Sequence, residues 1–74
     1  MDPVLMKGLI IRYLTKTAAG QETVNLRIFT VSDEDAPDFC QRRGKKFQEA
    51  LTLIREQATK RGCHLVEDAI VVIE

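Results

Sequence analysis

The chain has few of the residues that carry most enzyme chemistry. Its 74 residues include one histidine, two cysteines, one tyrosine and no tryptophan. No apolar run approaches the roughly 20 residues that span a bilayer. The first residues also lack the basic and then apolar layout of a signal peptide. These absences predict a cytoplasmic protein that does not contact membranes.

The cysteines and the histidine lack the spacing that is typical of a metal or catalytic site. Cys40 lies in a predicted helix and Cys63 at the start of a predicted strand, and both are expected to be reduced. Cys63 and His64 would point to opposite faces of a strand, which separates a nucleophile from its base. Paired zinc-ligand spacing is missing. The sequence therefore predicts no catalytic residue, no metal and no cofactor, in a protein that is not an enzyme.

The charges balance overall but are sorted along the chain. Eleven basic residues are matched by eleven acidic ones, which argues against a general binder of polyanions. Residues 32–38 hold four acids and no base, whereas residues 39–61 hold seven bases and two acids. Such a patchy surface favours specific recognition over bulk attraction.

Residues 5–15 and 22–31 predict a β-hairpin, because apolar and polar side chains alternate with the period of a half-buried strand. Gly20 supplies the positive φ that a tight loop needs. Pairing Thr15 with Glu22 makes one face of the hairpin uniformly apolar. That face consists of Leu9, Ile11, Tyr13, Val24, Leu26 and Ile28.

A helix is predicted between the hairpin and the last strand. Ser32 and Asp35 have the spacing of a capping box, with Asp35 itself as the alternative N-cap. Gly44 interrupts the helical pattern at a cost of about 1 kcal/mol, so it marks either a kink or the end of a short helix before a second one. Gly62 is a typical helical stop. The apolar stripe consists of Ala36, Cys40, Phe47, Ala50, Leu51, Ile54 and Ala58.

Residues 65–73 predict a final strand, within which Glu67 and Asp68 mark either a bulge or a turn that divides it into two. Residues 1–74 thus predict a single α+β domain with the element order ββαβ. A right-handed crossover places the third strand beside the first. The expected sheet is three-stranded and antiparallel, with strand order 3-1-2 and one long helix on one face.

Four cations around Gly44 form the sharpest feature of the sequence, and we call them the basic segment. Its members are Arg42, Arg43, Lys45 and Lys46. Cations packed in this way favour contact with an acidic protein surface or with phosphates. Glu49 lies near them at helical spacing and reduces the local charge, as on an ordinary solvated helix face. We predict that the basic segment contacts a partner.

The sheet face opposite the helix is the second predicted contact surface. It is expected to show Ile10 and Phe29 beside Arg12 and Arg27. Exposed apolar patches usually mark an interface, and self-association is the simplest use of this one. A stacking platform for nucleic-acid bases has less support, because such platforms carry more aromatic residues than Phe29 alone.

These patterns predict a small regulatory protein, an inhibitor or adaptor, that acts through protein–protein contacts as a homodimer and binds a partner with an acidic surface. The alternative is a nucleic-acid-binding module that uses the basic segment with Arg12 and Arg27. Binding to oligonucleotides that falls steeply with salt would favour that alternative.

Overall fold

The structure is a computed structural model that describes residues 5–74. Its elements are β1 (Met6–Thr17), β2 (Glu22–Ser32), α1 (Ala36–Cys40), α2 (Gly44–Lys60), β3 (Cys63–Leu65), a 3-10 turn (Glu67–Ala69) and β4 (Val71–Ile73). The central strand β1 pairs antiparallel with β2 on one side and with β3 and β4 on the other. The predicted α+β class and strand order 3-1-2 are confirmed, and a fourth strand is added.

The hairpin loop has three residues, 18–20, and this length sets the register. The Thr17 amide donates to the Gln21 carbonyl at 2.9 Å, and Gly20 adopts a φ of 86°. Three-residue loops of this kind commonly end in a left-handed glycine. Thr15 therefore lies opposite Thr23, and the predicted pairing of Thr15 with Glu22 is wrong by one residue.

A shift of one residue reverses the faces of β2, because side chains alternate along a strand. Val24, Leu26 and Ile28, which were expected in the core, are 54%, 65% and 72% exposed on the face away from the helices. Val31 is buried on the helix side, with Phe29 half-buried beside it. The core positions predicted on β1 are confirmed. They are Leu9, Ile11 and Tyr13.

The helical region is divided at Gly44, as in the second of the two alternatives. Asp35 is the N-cap of α1, and the Ser32 hydroxyl bridges to its carboxylate at 2.9 Å. The chain then turns through Arg42 and Gly44, which have φ values of 60° and 85°. The helix α2 ends before Gly62, whose φ is 74°. Its buried stripe is as predicted and contains Phe47, Ala50, Leu51, Ile54 and Ala58.

The core lies between the helices and the face of the sheet that they cover. Phe39 of α1 packs edge-on against Phe47 of α2, with the ring centroids 5.6 Å apart. Phe29 of β2 lies 5.9 Å from the Phe39 ring. Aromatic contacts of this geometry add to the stability that burial provides. The three rings therefore join both helices to the β2 side of the sheet.

The final apolar segment is two strands joined by the 3-10 turn. β3 pairs with Thr15–Thr17 and β4 with Ile10–Arg12. Between them Ile70 is buried, and Glu67 accepts two hydrogen bonds from Arg55 of α2, at 2.8 and 3.3 Å. The turn at Glu67 and Asp68 is thus one of the two predicted alternatives. None of the helices in residues 5–74 is long and apolar enough to cross a membrane.

Candidate protein-interaction surfaces

The sheet surface away from the helices, which we call the outer face, is rich in aliphatic side chains. Ile10 stands between Ile28 of β2 and Ile73 of β4 in the strand register. The aliphatic members of the outer face are Ile10, Leu14, Val24, Leu26, Ile28, Val71 and Ile73. The members on β2 and β4 are all at least 40% exposed. The outer face is therefore a continuous apolar surface across three strands.

The size of this apolar surface follows from strand geometry. Strands lie about 4.8 Å apart and rise about 3.3 Å per residue, so three strands over six or seven residues present on the order of 300 Å² in projection. The largest patches on monomers are about 300–600 Å² and are often functional. Arg12 lies in the middle, between Leu26 and Val71. The surface is therefore apolar with one central cation.

The structure divides the predicted interface set between the two faces of the sheet. Ile10 and Arg12 lie on the outer face, as expected. Arg27 and Phe29 lie on the helix side, and their predicted placement on the outer face is wrong. Arg27 donates a hydrogen bond to Gln57 of α2, and its guanidinium lies 5.9 Å from the Phe29 ring centroid.

Sequence reasoning missed five aliphatic members of the outer face. Three were assigned to the core through the shifted register, and two belong to the divided final strand. The missed residues are Val24, Leu26, Ile28, Val71 and Ile73. The sequence did contain a sign that the first three could face outward. Phe29 and Val31 are apolar residues on the opposite face of β2, so either face of this strand could have been the buried one.

The basic segment lies in and just after the turn that joins α1 to α2, and its four side chains are exposed. Arg43 forms an ion pair with Asp38 at 2.9 Å, and Lys46 lies 3.9 Å from Glu49. The first turn of α2 has no acid and no side-chain cap. Cations there meet the positive end of the helix dipole, which does not stabilise them. Of the four cations, Arg43 and Lys46 are therefore partly neutralised, because each has an acidic neighbour.

A groove of about 250 Å³ runs between β2 and α2. Phe29, Thr30 and Val31 form its sheet side and Phe39 its floor, and Lys46, Glu49, Ala50 and Leu53 form its helix side. Leu53 lies beside the buried stripe of α2 and is 37% exposed. The groove is therefore apolar inside and charged at the rim, next to the basic segment.

The two thiols are free and lie in different surroundings. Cys40 lies 3.5 Å from the Glu74 carboxylate, which also accepts a hydrogen bond from Lys7 at 2.9 Å. Partial burial raises the pKa of the Cys40 thiol, and the hydrogen bond to Glu74 acts in the same direction. The Cys63 thiol contacts the Arg61 carbonyl at 3.7 Å. A thiol with a raised pKa is a poor nucleophile at neutral pH.

Within residues 5–74, no three histidine, cysteine, aspartate or glutamate side chains gather in a way that could hold a metal ion. No protein-family model matches the chain, and comparisons with curated proteins and with solved structures give no match. The function is therefore inferred from the chemistry of the chain's own surfaces.

Proposed function

We propose that the protein is a small regulatory protein, an inhibitor or adaptor, that acts through protein–protein contacts as a homodimer formed by the outer face. The supporting observation is the exposure of Val24, Leu26 and Ile28 on a face with further aliphatic residues from β1 and β4. Two copies packed face to face remove both apolar surfaces from water. Such a two-fold interface uses the same patch on each copy.

The energetics favour a reversible dimer. Burying on the order of 300 Å² on each copy contributes roughly 15 kcal/mol at about 25 cal/mol per Å². Association costs about 4–15 kcal/mol in lost freedom of motion, and only the surplus appears as affinity. Arg12 in the middle of the outer face lowers that surplus further, because its guanidinium loses water on contact. The expected dimer is thus one that can dissociate.

We assign the protein to the cytoplasm. Its two cysteines are free, and reduced thiols are usual in that compartment.

The nucleic-acid-binding alternative has less support from the geometry. It requires Arg12 and Arg27 on one surface with the basic segment, but Arg12 is on the outer face and Arg27 contacts Gln57 on the helix side. Two members of the basic segment also have acidic neighbours. Nucleic-acid binding rests on a continuous positive surface, and this arrangement divides the cations.

The homodimer is tested with Leu26→Glu. Leu26 lies opposite Arg12, so the new carboxylate gains a cross-strand ion pair of about 0.2–1 kcal/mol in the monomer. At the interface the same charge has to be buried. Light scattering at micromolar concentration should give about twice the 8.4 kDa of one chain for the parent and one chain for the variant.

The control is Gln48→Glu, which adds the same charge at an exposed position on α2. This variant should remain a dimer, and circular dichroism should show that both variants are folded. A parent that is monomeric at high concentration contradicts the proposal, as does a folded Leu26→Glu variant that still dimerises.

A further inference from the structure

The strand β2 forms an open edge of the sheet, since it pairs with β1 alone among the described strands. Hydrogen bonds from Thr17 to Gln21 and from Asp33 to Leu5 place the β1–β2 ladder on odd-numbered residues. Backbone groups of neighbouring residues point to alternate sides of a strand. The even-numbered residues of β2 therefore direct their N–H and C=O groups to the open edge. These residues include Val24, Leu26, Ile28 and Thr30.

The open edge runs beside the groove between β2 and α2. A strand added to β2 would continue the sheet there, and every second side chain would point toward the groove. The groove offers that side chain Phe29, Phe39 and Leu53 as apolar contacts within about 250 Å³. Backbone pairing and an apolar pocket together are the features by which sheet edges bind extended peptides.

The charges around the groove favour carboxylates on both sides of the apolar side chain. Lys46 stands at the helix rim, and the rest of the basic segment continues beyond it. At the other end Arg27 is held by its hydrogen bond to Gln57. Glu49 at the rim lies 3.9 Å from Lys46 and offsets part of its charge, whereas Arg42 and Lys45 of the basic segment form no ion pair within residues 5–74. An added acidic strand would therefore meet a cation at each end of the groove.

A second copy of this chain fits the groove less well. Its own β2 would direct five side chains to the groove side, of which only Phe29 and Val31 are apolar and the other three are Thr23, Asn25 and Arg27. Thr23 and Asn25 are polar and Arg27 is a cation, whereas the pocket is apolar and already lies next to cations. The groove therefore favours an extended segment of a different protein.

We propose that the groove between β2 and α2 binds an extended peptide segment of a partner protein, in which an aliphatic residue is flanked by acidic residues. The segment adds to the edge of β2 as a strand and inserts the aliphatic side chain between Phe29 and Leu53. This proposal rests on the proposed protein-binding function but uses a different surface from the dimer, so the two can fail separately.

The test uses a fluorescein-labelled, end-blocked peptide of about nine residues, with valine and leucine in the centre and aspartates at both ends. Binding is followed by fluorescence anisotropy and by amide shifts of isotope-labelled protein. The shifts should be largest at Ile28, Thr30 and Leu53. Affinity should fall as salt rises, because screening weakens the contribution of the flanking aspartates.

The decisive comparison is Leu53→Glu against Thr52→Glu. Both residues are exposed on α2 and both changes add one negative charge, but only Leu53 lines the groove. Leu53→Glu should weaken peptide binding roughly tenfold or more and leave the dimer intact, whereas Thr52→Glu should bind like the parent. A Val71→Glu variant, which places the new charge on β4, opposite Arg12 and away from the open edge of β2, should be monomeric and should bind the peptide with the parent's affinity.

Several results would overturn the proposal. One is the absence of binding at millimolar peptide. Another is an equal loss of peptide affinity in Leu53→Glu and Thr52→Glu. A third is equal affinity for a peptide in which lysines replace the aspartates. Shifts confined to the outer face would overturn it too. Shifts at the β2 edge that grow with protein concentration alone would show that a second copy occupies the edge.

Discussion

At the scale of single residues, the Glu74 carboxylate connects the two ends of the described chain. It accepts a hydrogen bond from Lys7 of β1, which holds the pKa of Glu74 below its usual range and raises the pKa of Lys7. Because the pKa of Glu74 is lower in the folded state, its pairing with Lys7 stabilises the fold at neutral pH. This stabilisation is lost as the pH falls through the lowered pKa of Glu74. Partial burial raises the pKa of the nearby Cys40 thiol, and its hydrogen bond to Glu74 raises that pKa further.

Glu74→Gln should therefore lower the pKa of Cys40 and speed its alkylation. The hydrogen bond and the negative charge of Glu74 both raise that pKa, and partial burial remains in the variant. Iodoacetamide rates measured against pH in a Cys63→Ser background report Cys40 alone. The rate near pH 8 should rise relative to the same background with Glu74 intact, because more thiolate is present. An unchanged rate profile would show that Glu74 does not act on the thiol.

At the scale of elements, β2 is the strand whose local pattern is ambiguous. Its first half is apolar at Val24, Leu26 and Ile28, and its second half at Phe29 and Val31. Both phases cannot face the helices at once. The helices cover Phe29 and Val31. Val24, Leu26 and Ile28 are therefore exposed and form much of the outer face. The ambiguity of β2 is thus the origin of the proposed dimer surface.

Hydrogen exchange provides a direct test of the β2 register. In the structure the amides of Asn25, Arg27 and Phe29 pair with β1, whereas those of Leu26 and Ile28 point to the open edge. Exchange measured residue by residue at low protein concentration should alternate, slow at the odd positions and fast at the even ones. A register shifted by one residue would reverse this alternation. Acidic peptide in the groove should slow exchange at Ile28 and Thr30.

At the scale of the whole molecule, the core and the proposed dimer surface lie on opposite faces of one sheet. The helix side holds the aromatic core, and the outer face is free for a second copy. The groove lies along the edge between them, so that a face-to-face dimer leaves both of its grooves accessible. The two proposals are therefore compatible, because a dimer formed by the outer face would still present a groove on each copy.

Two isoleucines give a matched test of this division. Ile54 is 0% exposed in the core, and Ile28 is the most exposed large aliphatic of the outer face. Ile54→Ala should lower the free energy of unfolding by roughly 2–5 kcal/mol. Ile28→Ala should change it by about 0.5 kcal/mol or less when the protein is dilute and monomeric. Urea denaturation of both variants checks this, and similar losses would contradict the assigned faces.

Features that depend on neighbours a few residues apart could be predicted from the sequence. The stripe through Phe47, Ala50 and Ile54 follows from helical periodicity, and Gly62 ends α2 because only a glycine readily adopts its φ of 74°. The strand order follows from the handedness of the crossover. The interruption of the helical pattern at Gly44 could be predicted for the same local reason. Whether it was a kink or the end of a short helix could not.

The face of β2 that is buried, and with it the candidate interaction surfaces, could not be predicted from the local pattern. The three-residue loop that ends at Gly20 selected the register, and Phe39 from a distant helix packs on Phe29. That choice placed Arg12 and Arg27 on opposite faces and left Leu26 exposed. A strand with apolar residues in both phases carries no local preference between its faces. The length of the hairpin loop and the packing of Phe39 on Phe29 together supply one.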